Sequence, residues 1–226
     1  VGVGVKVGLG TRVAVTTTQV PPPHTITDSK VGVSVGVLVG TSVAVKVALG
    51  TRVNVNVAGP NTCSTGAVGV DVSGTLDQPV HDVRFDGIGF AHTTWVGPDT
   101  PEGYVSLQAG YLVTGQRDKL PDNGEGMVRI PTAVTVLAGT RVVFANDDFH
   151  ELGTAGIALA GGTRDSVVEG SVFSDLSGGA VFVGDTTAFP ADPRAKSGVN
   201  AVERNVIDHV SVEYRDNVGI MGGFND

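Results

Sequence analysis

Between Val31 and Val57 every odd position is Val, Leu or Thr, and most even positions are Gly, Ser, Ala, Lys, Arg or Asn. Such alternation sends branched side chains to one face of a strand and small or polar ones to the other, the pattern of a half-buried sheet. Val1 to Val15 repeats it, and Gly-Thr recurs at Gly10-Thr11, Gly40-Thr41 and Gly50-Thr51, in steps that are multiples of ten. This spacing suits short strands separated by glycine turns or the coils of a solenoid. Pro21-Pro22-Pro23 interrupts the series. Residues 1–60 therefore read as a Val/Gly-rich β-strand region: a cap, early coils or a small sheet. Its long Val-rich edge is either a surface for self-assembly or partner binding, or a simple capping sheet that something else covers.

Residues 61–226 carry a longer repeat. The run from Val143 to Ile157 superimposes on Val167 to Val181 at an offset of 24. A third copy, Ala201 to Tyr214, lies 34 residues beyond the second because Gly184 to Arg194 bulges out between them, and an earlier copy starts at Val83. Each unit reads as strand, Gly or Asn corner, apolar residue, polar turn, glycine and strand. One unit cannot bury its apolar side alone, so neighbours must stack. A period near 24 fits the coil of a right-handed parallel β-helix, with strands about 4.8 Å apart. In that arrangement Phe85, Phe90, Phe144, Phe149, Phe173 and Ile207 form interior stacks, and Asn146, Gly170 and Asn205 take the corner, where a left-handed backbone is cheap for Gly and tolerable for Asn.

Composition agrees with an all-β fold. The 226 residues include 42 Val and 33 Gly, both poor helix formers. Hydrophobic content of 41% with 17% charged residues excludes disorder, and the glycines lack a collagen repeat. The net charge of −8 argues against nucleic acid or an acidic membrane as partner. Residues 1–60 carry +4 and the remainder −12, so the two parts differ in kind. Cys63 is the single cysteine, which leaves no intrachain disulfide, redox pair or cysteine metal cluster. No run of 18 apolar residues is present and the N-terminus has no signal-peptide pattern, so the expectation is a soluble chain from which any leader has been removed.

The stretch from Val72 to Phe85, then Gly87-Ile88-Gly89-Phe90-Ala91-His92-Thr93-Thr94-Trp95, resembles secreted bacterial right-handed β-helix proteins. Further matching residues are Gly103-Tyr104, Gln108-Ala109-Gly110, Leu152-Gly153-Thr154-Ala155-Gly156, and Val212-Glu213-Tyr214 followed by Val218-Gly219-Ile220. The resemblance covers about residues 70–226 and is closest to glycoside hydrolase family 141. It implies a secreted, carbohydrate-active protein with a polysaccharide or oligosaccharide as partner, and no cofactor. Two departures stand beside it. Residues 1–60 do not resemble the usual upstream region, and relatives continue with further coils where this sequence stops at Asp226, so part of a cleft is expected to be absent. The last coil then exposes strand edges that invite homo-oligomerisation by end or edge stacking.

Glycoside hydrolysis usually needs two carboxyl groups about 5 to 9.5 Å apart. Asp175 and Asp208 are read at equivalent places on successive coils, just past Phe173 and Ile207, where like-charge proximity would raise one pKa as an acid catalyst requires. Hydrogen bonding to their own turns is the alternative reading. Glu213 is the third candidate carboxylate, beside Tyr214, and the resemblance carries both; a plain surface strand Glu is the alternative. His150 and His209 are expected near one turn, where they bind sugar hydroxyls, assist proton transfer or merely fill the turn. Trp95, the only tryptophan, is either a sugar-stacking platform or a seal on the first coil. Asp147, Asp148 and Glu151 lack a defined metal-ligand spacing, and no metal is assigned. The excursion from Thr93 to Pro131 is too long for a simple connection and reads as a groove wall; it holds Glu102, Tyr104, Gln108, Arg117 and Lys119, with Gln108 a candidate for substrate binding. The competing class is a non-catalytic structural or binding solenoid that self-assembles through its edges. Uronate lyases and epimerases are a weaker third, because Arg215 is the only basic residue close to the candidate acids in sequence.

Overall fold

Branched residues at alternating positions favour extended backbone, and the units that repeat them become short strands rather than helices. The computed structural model describes residues 69–95, 97, 110–113, 127–184 and 190–226, together with the strands Val33–Ser34, Val53–Val55 and Ser106–Leu107. Among these residues the fold is essentially all-β, with helix confined to short 3-10 turns such as Pro193–Ala195.

Three parallel sheets run the length of the repeat. The first contains Val70–Ser73, Thr132–Leu137, Ala155–Ala160, Val181–Gly184 and Ile220–Gly223. The second contains Arg84–Asp86, Val143–Ala145, Val167–Glu169 and Ala201–Glu203, and the third Gly89–Ala91, Asp148–Leu152, Val172–Leu176 and Val206–Asp208. The chain visits the three in that order, and each strand pairs parallel with its counterpart one circuit earlier. This is consistent with a parallel β-helix. Ahead of the first full circuit, Val53–Val55 joins the first sheet antiparallel to Val70–Ser73 and carries Val33–Ser34 in parallel on its other side.

The register reproduces the offsets of the sequence repeat. Val143 pairs with Val167 and Val167 with Ala201. Consequently Phe90, Phe149, Phe173 and Ile207 fall in one interior column, and Phe85, Phe144, Val168 and Val202 in another. The rings stack face to face: Phe85 on Phe144 at 4.5 Å, Phe90 on Phe149 at 4.6 Å and Phe149 on Phe173 at 4.5 Å between centroids. Phe144, Phe149 and Phe173 are completely buried, with Val72, Val136, Leu159 and Val183 lining the opposite wall.

Three left-handed residues bend each circuit at fixed places. They form the columns Asp82, Arg141, Asp165, Val199; then Gly87, Asn146, Gly170, Arg204; and then His92, Glu151, Asp175, His209, all with φ between 49° and 69°. The second column corrects one expectation: the corner residue of the last circuit is Arg204, and Asn205 lies one position later. Asn205 has a different task. Where the backbone leaves the corner, Asp147 Oδ1 accepts from the Ile88 N–H at 2.8 Å, Ser171 Oγ from the Asp147 N–H at 3.1 Å, and Asn205 Oδ1 from the Ser171 N–H at 2.8 Å. A parallel ladder links Val142, Ser166 and Asn200. These side chains satisfy amides that the bend removes from regular pairing.

Asp147 is the ionisable member of its ladder. It is 1% exposed, and its Oδ2 is buried without a hydrogen-bond partner. Burial pushes its pKa up to about 7, against the opposing effect of the Ile88 N–H; Asp86 adds to the rise and Arg84 counters it. A carboxyl with a raised folded-state pKa holds its proton in the fold, so its stabilising share is complete below the ordinary aspartate value near 4 and is lost as pH rises towards 7. Asp147→Asn should therefore flatten the pH dependence of Tm between pH 5 and pH 8, where the unsubstituted chain loses on the order of 5 °C more than the variant. Thermal denaturation of both across that range checks this. Phe149→Ala, which removes the ring between Phe90 and Phe173, should cost about 3 to 5 kcal/mol in urea unfolding.

Candidate functional site

The third left-handed column creates an outward-facing strip. In Val172–Leu176 the side chains run exposed, buried, half-buried, exposed, buried, and Asp148–Leu152 repeats the sequence. A regular strand alternates faces, but the left-handed residue lets two consecutive side chains point outward before the next returns to the core. One outward column is Ala91, His150, Ser174, Asp208 and the other His92, Glu151, Asp175, His209.

This register revises the candidate acids. Asp208 pairs with Ser174, and the Leu176 N–H donates to the His209 carbonyl, so Asp175 sits beside His209. Asp175 and Asp208 are thus diagonal neighbours in adjacent columns, one residue out of the stacked equivalence expected, because Asp175 lies two residues past Phe173 and Asp208 one past Ile207 in the register that pairs those two. The two histidines also part. His150 belongs to the second circuit and His209 to the fourth, with Ser174 and Asp175 between them; His150 instead meets the His92 ring at 6.0 Å, edge to face. His92 Nδ1 lies 2.9 Å from Glu151 Oε2, His150 Nδ1 3.2 Å from Asp148 Oδ2, and His209 Nδ1 3.6 Å from Asp208 Oδ2. These pairs are largely solvated and contribute little to stability.

Immediately past the strip, the chain turns back to the first sheet, and the turns of four circuits are tied together. The Gly153 N–H donates to the Thr93 carbonyl, Ser177 N–H to Leu152, Ser211 N–H to Gly178, and Tyr214 N–H to Ser177. Thr93 and Thr154 bridge through their hydroxyls at 3.1 Å. This is the edge that holds Trp95, Glu213 and Tyr214. Tyr214 is only 7% exposed and meets Trp95 edge to face at 5.3 Å, while Phe182, Ile130 and Ala155 complete an apolar cluster on the outer side of the first sheet. Glu213 stays exposed, and its Oε2 accepts from the Ser177 hydroxyl at 2.9 Å. Seven candidates, Trp95, His150, Asp175, Asp208, His209, Glu213 and Tyr214, therefore lie along one edge and the strip next to it. Gln108, like Glu102, Tyr104, Arg117 and Lys119, lies outside the described residues.

The architecture is similar to that of a solved glycoside hydrolase. That protein superimposes with a TM-score of 0.56 and 29% sequence identity over 63% of this chain. The match covers 27% of the hydrolase, so the chain spans about a quarter of its length. No family model matches the sequence, and no curated protein matches it significantly.

Several residues of the edge carried no signal in the sequence. Arg129 donates through Nε to the Tyr111 hydroxyl at 3.1 Å and lays its guanidinium 4.6 Å from the Phe182 ring centroid. Asn217 is buried, donates to the Tyr214 carbonyl at 3.0 Å and crowds Gly110, whose left-handed φ of 75° and lack of a side chain allow the approach. These residues stand in non-repeating turns and an antiparallel three-stranded sheet, Ser106–Leu107, Tyr111–Val113 and Met127–Arg129, so no periodicity announces them. Gly153 supports the Trp95 segment directly: a Cβ there would meet the Thr93 carbonyl oxygen at 2.8 Å and Thr94 Cα at 3.2 Å. Gly153→Ala should displace that segment, shift the fluorescence maximum of the single tryptophan to the red and destabilise the fold by about 1 to 3 kcal/mol. Emission spectra and urea titration of the variant test both effects.

Proposed function

We propose that the chain is part of a secreted, right-handed parallel β-helix of the glycoside hydrolase family 141 type, which hydrolyses polysaccharide through paired carboxylates. In this reading the Val/Gly-rich residues 1–60 precede a helix that runs over 61–226. The observation that carries the reading is the edge of Trp95, Glu213 and Tyr214 with the strip of Asp175, Asp208 and His209 beside it. The likeness to a protein named glycoside hydrolase supports it, together with the motifs around Trp95 and Glu213.

The proposed division of labour follows from position. Glu213 is fixed through Oε2 to Ser177, and its Oε1 makes no hydrogen bond among the described residues, so it is oriented without being consumed by the fold. It acts as one carboxylate of the pair. Asp175 and Asp208, on adjacent outward columns, provide the second. Trp95 and Tyr214 offer apolar surface to a sugar ring, and the repeated edge suits an extended chain better than a small metabolite.

Glu213→Gln keeps the bond to Ser177 and removes the ionisable group. It should lower kcat by about 100-fold or more on a hydrolysable polysaccharide with KM little changed, and Asp175→Asn or Asp208→Asn should identify the second group by a loss of similar size. Reducing-end release from a panel of plant and microbial polysaccharides measures this. Hydrolysis that survives all three substitutions would refute the paired-carboxylate mechanism. Absence of hydrolysis, with concentration-dependent association in sedimentation, would favour the self-assembling solenoid.

A further inference from the structure

The chain has more acids than bases, and most of its described cations are spoken for. Arg84 lies beside Asp86 and Glu169, Arg141 beside Asp82, Arg164 and Lys196 beside Asp226, Arg194 beside Asp77 and Asp192, and Arg204 beside Glu169 and Glu203. Arg129 departs from this pattern. No carboxylate stands within ion-pair distance of it among the described residues, although its guanidinium is held firmly by the Tyr111 hydroxyl and the Phe182 and Tyr111 rings. Its Nη2 is buried and has no hydrogen-bond partner. A half-buried cation stacked on rings, with one nitrogen desolvated and no carboxylate beside it among the described residues, is suited to an anion that arrives from outside.

A second orphan lies close by. Asn217 Oδ1 is buried without a donor. Asn217 packs against Gly110, the residue before Tyr111, and the Gly110 N–H donates to the neighbouring Asp216 carbonyl. The unfilled donor thus lies beside Phe182, and the unfilled acceptor is packed against Gly110, one residue before Tyr111. A sugar acid supplies the complement that the guanidinium lacks, a carboxylate. The net charge of −8 disfavours a polyanion at long range, so the match is to an isolated acidic sugar on an otherwise neutral glycan.

We propose that Arg129 is the carboxylate-binding residue of a uronic-acid subsite beside the Trp95 and Glu213 edge. This rests on the carbohydrate-active reading and narrows its substrate class to glycans that bear uronate substituents. The test is calorimetric binding of a xylo-oligosaccharide carrying one glucuronate branch, of its methyl ester, and of the unbranched parent. The chain should prefer the acid over the ester by about tenfold or more, a difference that requires no variant. Arg129→Gln should erase the preference, and Arg129→Lys, which keeps the charge and loses the planar fork, should retain part of it. Equal binding of acid and ester, no measurable binding of the acid, or a preference that persists in a folded Arg129→Gln protein would overturn the proposal. Product release measured in parallel separates the two readings: a uronate preference without hydrolysis leaves the subsite standing and removes the hydrolase.

Discussion

Stacking in register depends on where the backbone turns left-handed. Each circuit places such residues at three equivalent positions, and of these twelve only Gly87 and Gly170 are glycine. For an L-residue this conformation costs about 1 to 2 kcal/mol. Val199 pays the steric penalty of a branched side chain in the open, at 67% exposure, and gains no burial from it. The offset comes from what the bends align: buried phenylalanines stacked 4.5 to 4.6 Å apart, and parallel strands paired on both sides through the middle circuits. A single coil has the strain without the stack, which is why the unit of stability is the array.

The same bends decide the chemistry of the interior and of the surface. Inside, amides that leave a corner find Ser, Asn or Asp side chains from the neighbouring circuit, so the polar ladder is as regular as the aromatic one. Ser171 and Asn205 do this without a charge; Asp147 does it with a group that the buried site holds near neutrality. Outside, the left-handed residue of the third column sets two consecutive side chains outward. The strip from His92 to His209 thus carries acids and imidazoles in two adjacent outward columns, with no intrusion on the core.

What was legible in the sequence was whatever repeats. The offsets of 24 and 34 identify the pairing partners and the phenylalanine columns, because interior volume must be matched circuit by circuit. One-residue errors arose at the corners. Asn146 and Gly170 advertise a left-handed bend, but Arg204 adopts it in the last circuit while the adjacent Asn205 looks the more suitable residue; residue type is a weak guide where tertiary pairing imposes the conformation. The misplacement of Asp208 against Asp175 departs from the repeat itself, since the offset of 34 carries Ser174 onto Asp208 and Asp175 onto His209. Arg129, Tyr111 and Asn217 were invisible for a different reason. They belong to segments that occur once, and neither spacing nor composition links residues 18 positions apart across an antiparallel sheet to a tyrosine in a later turn.

The division between repeated and unrepeated parts also assigns roles. A repeated element presents identical surfaces at each level, which positions ligands along an axis but gives no reason to prefer one level over another. Discrimination has to come from residues that break the symmetry. On this edge those are Trp95, Glu213 and Tyr214, supplied by turns, and Arg129, at the end of an antiparallel strand, with Trp95, Tyr214 and Arg129 gathered around Phe182. The scaffold fixes their spacing through backbone hydrogen bonds between circuits, so the precision of the site derives from the stack while its identity derives from the exceptions to it.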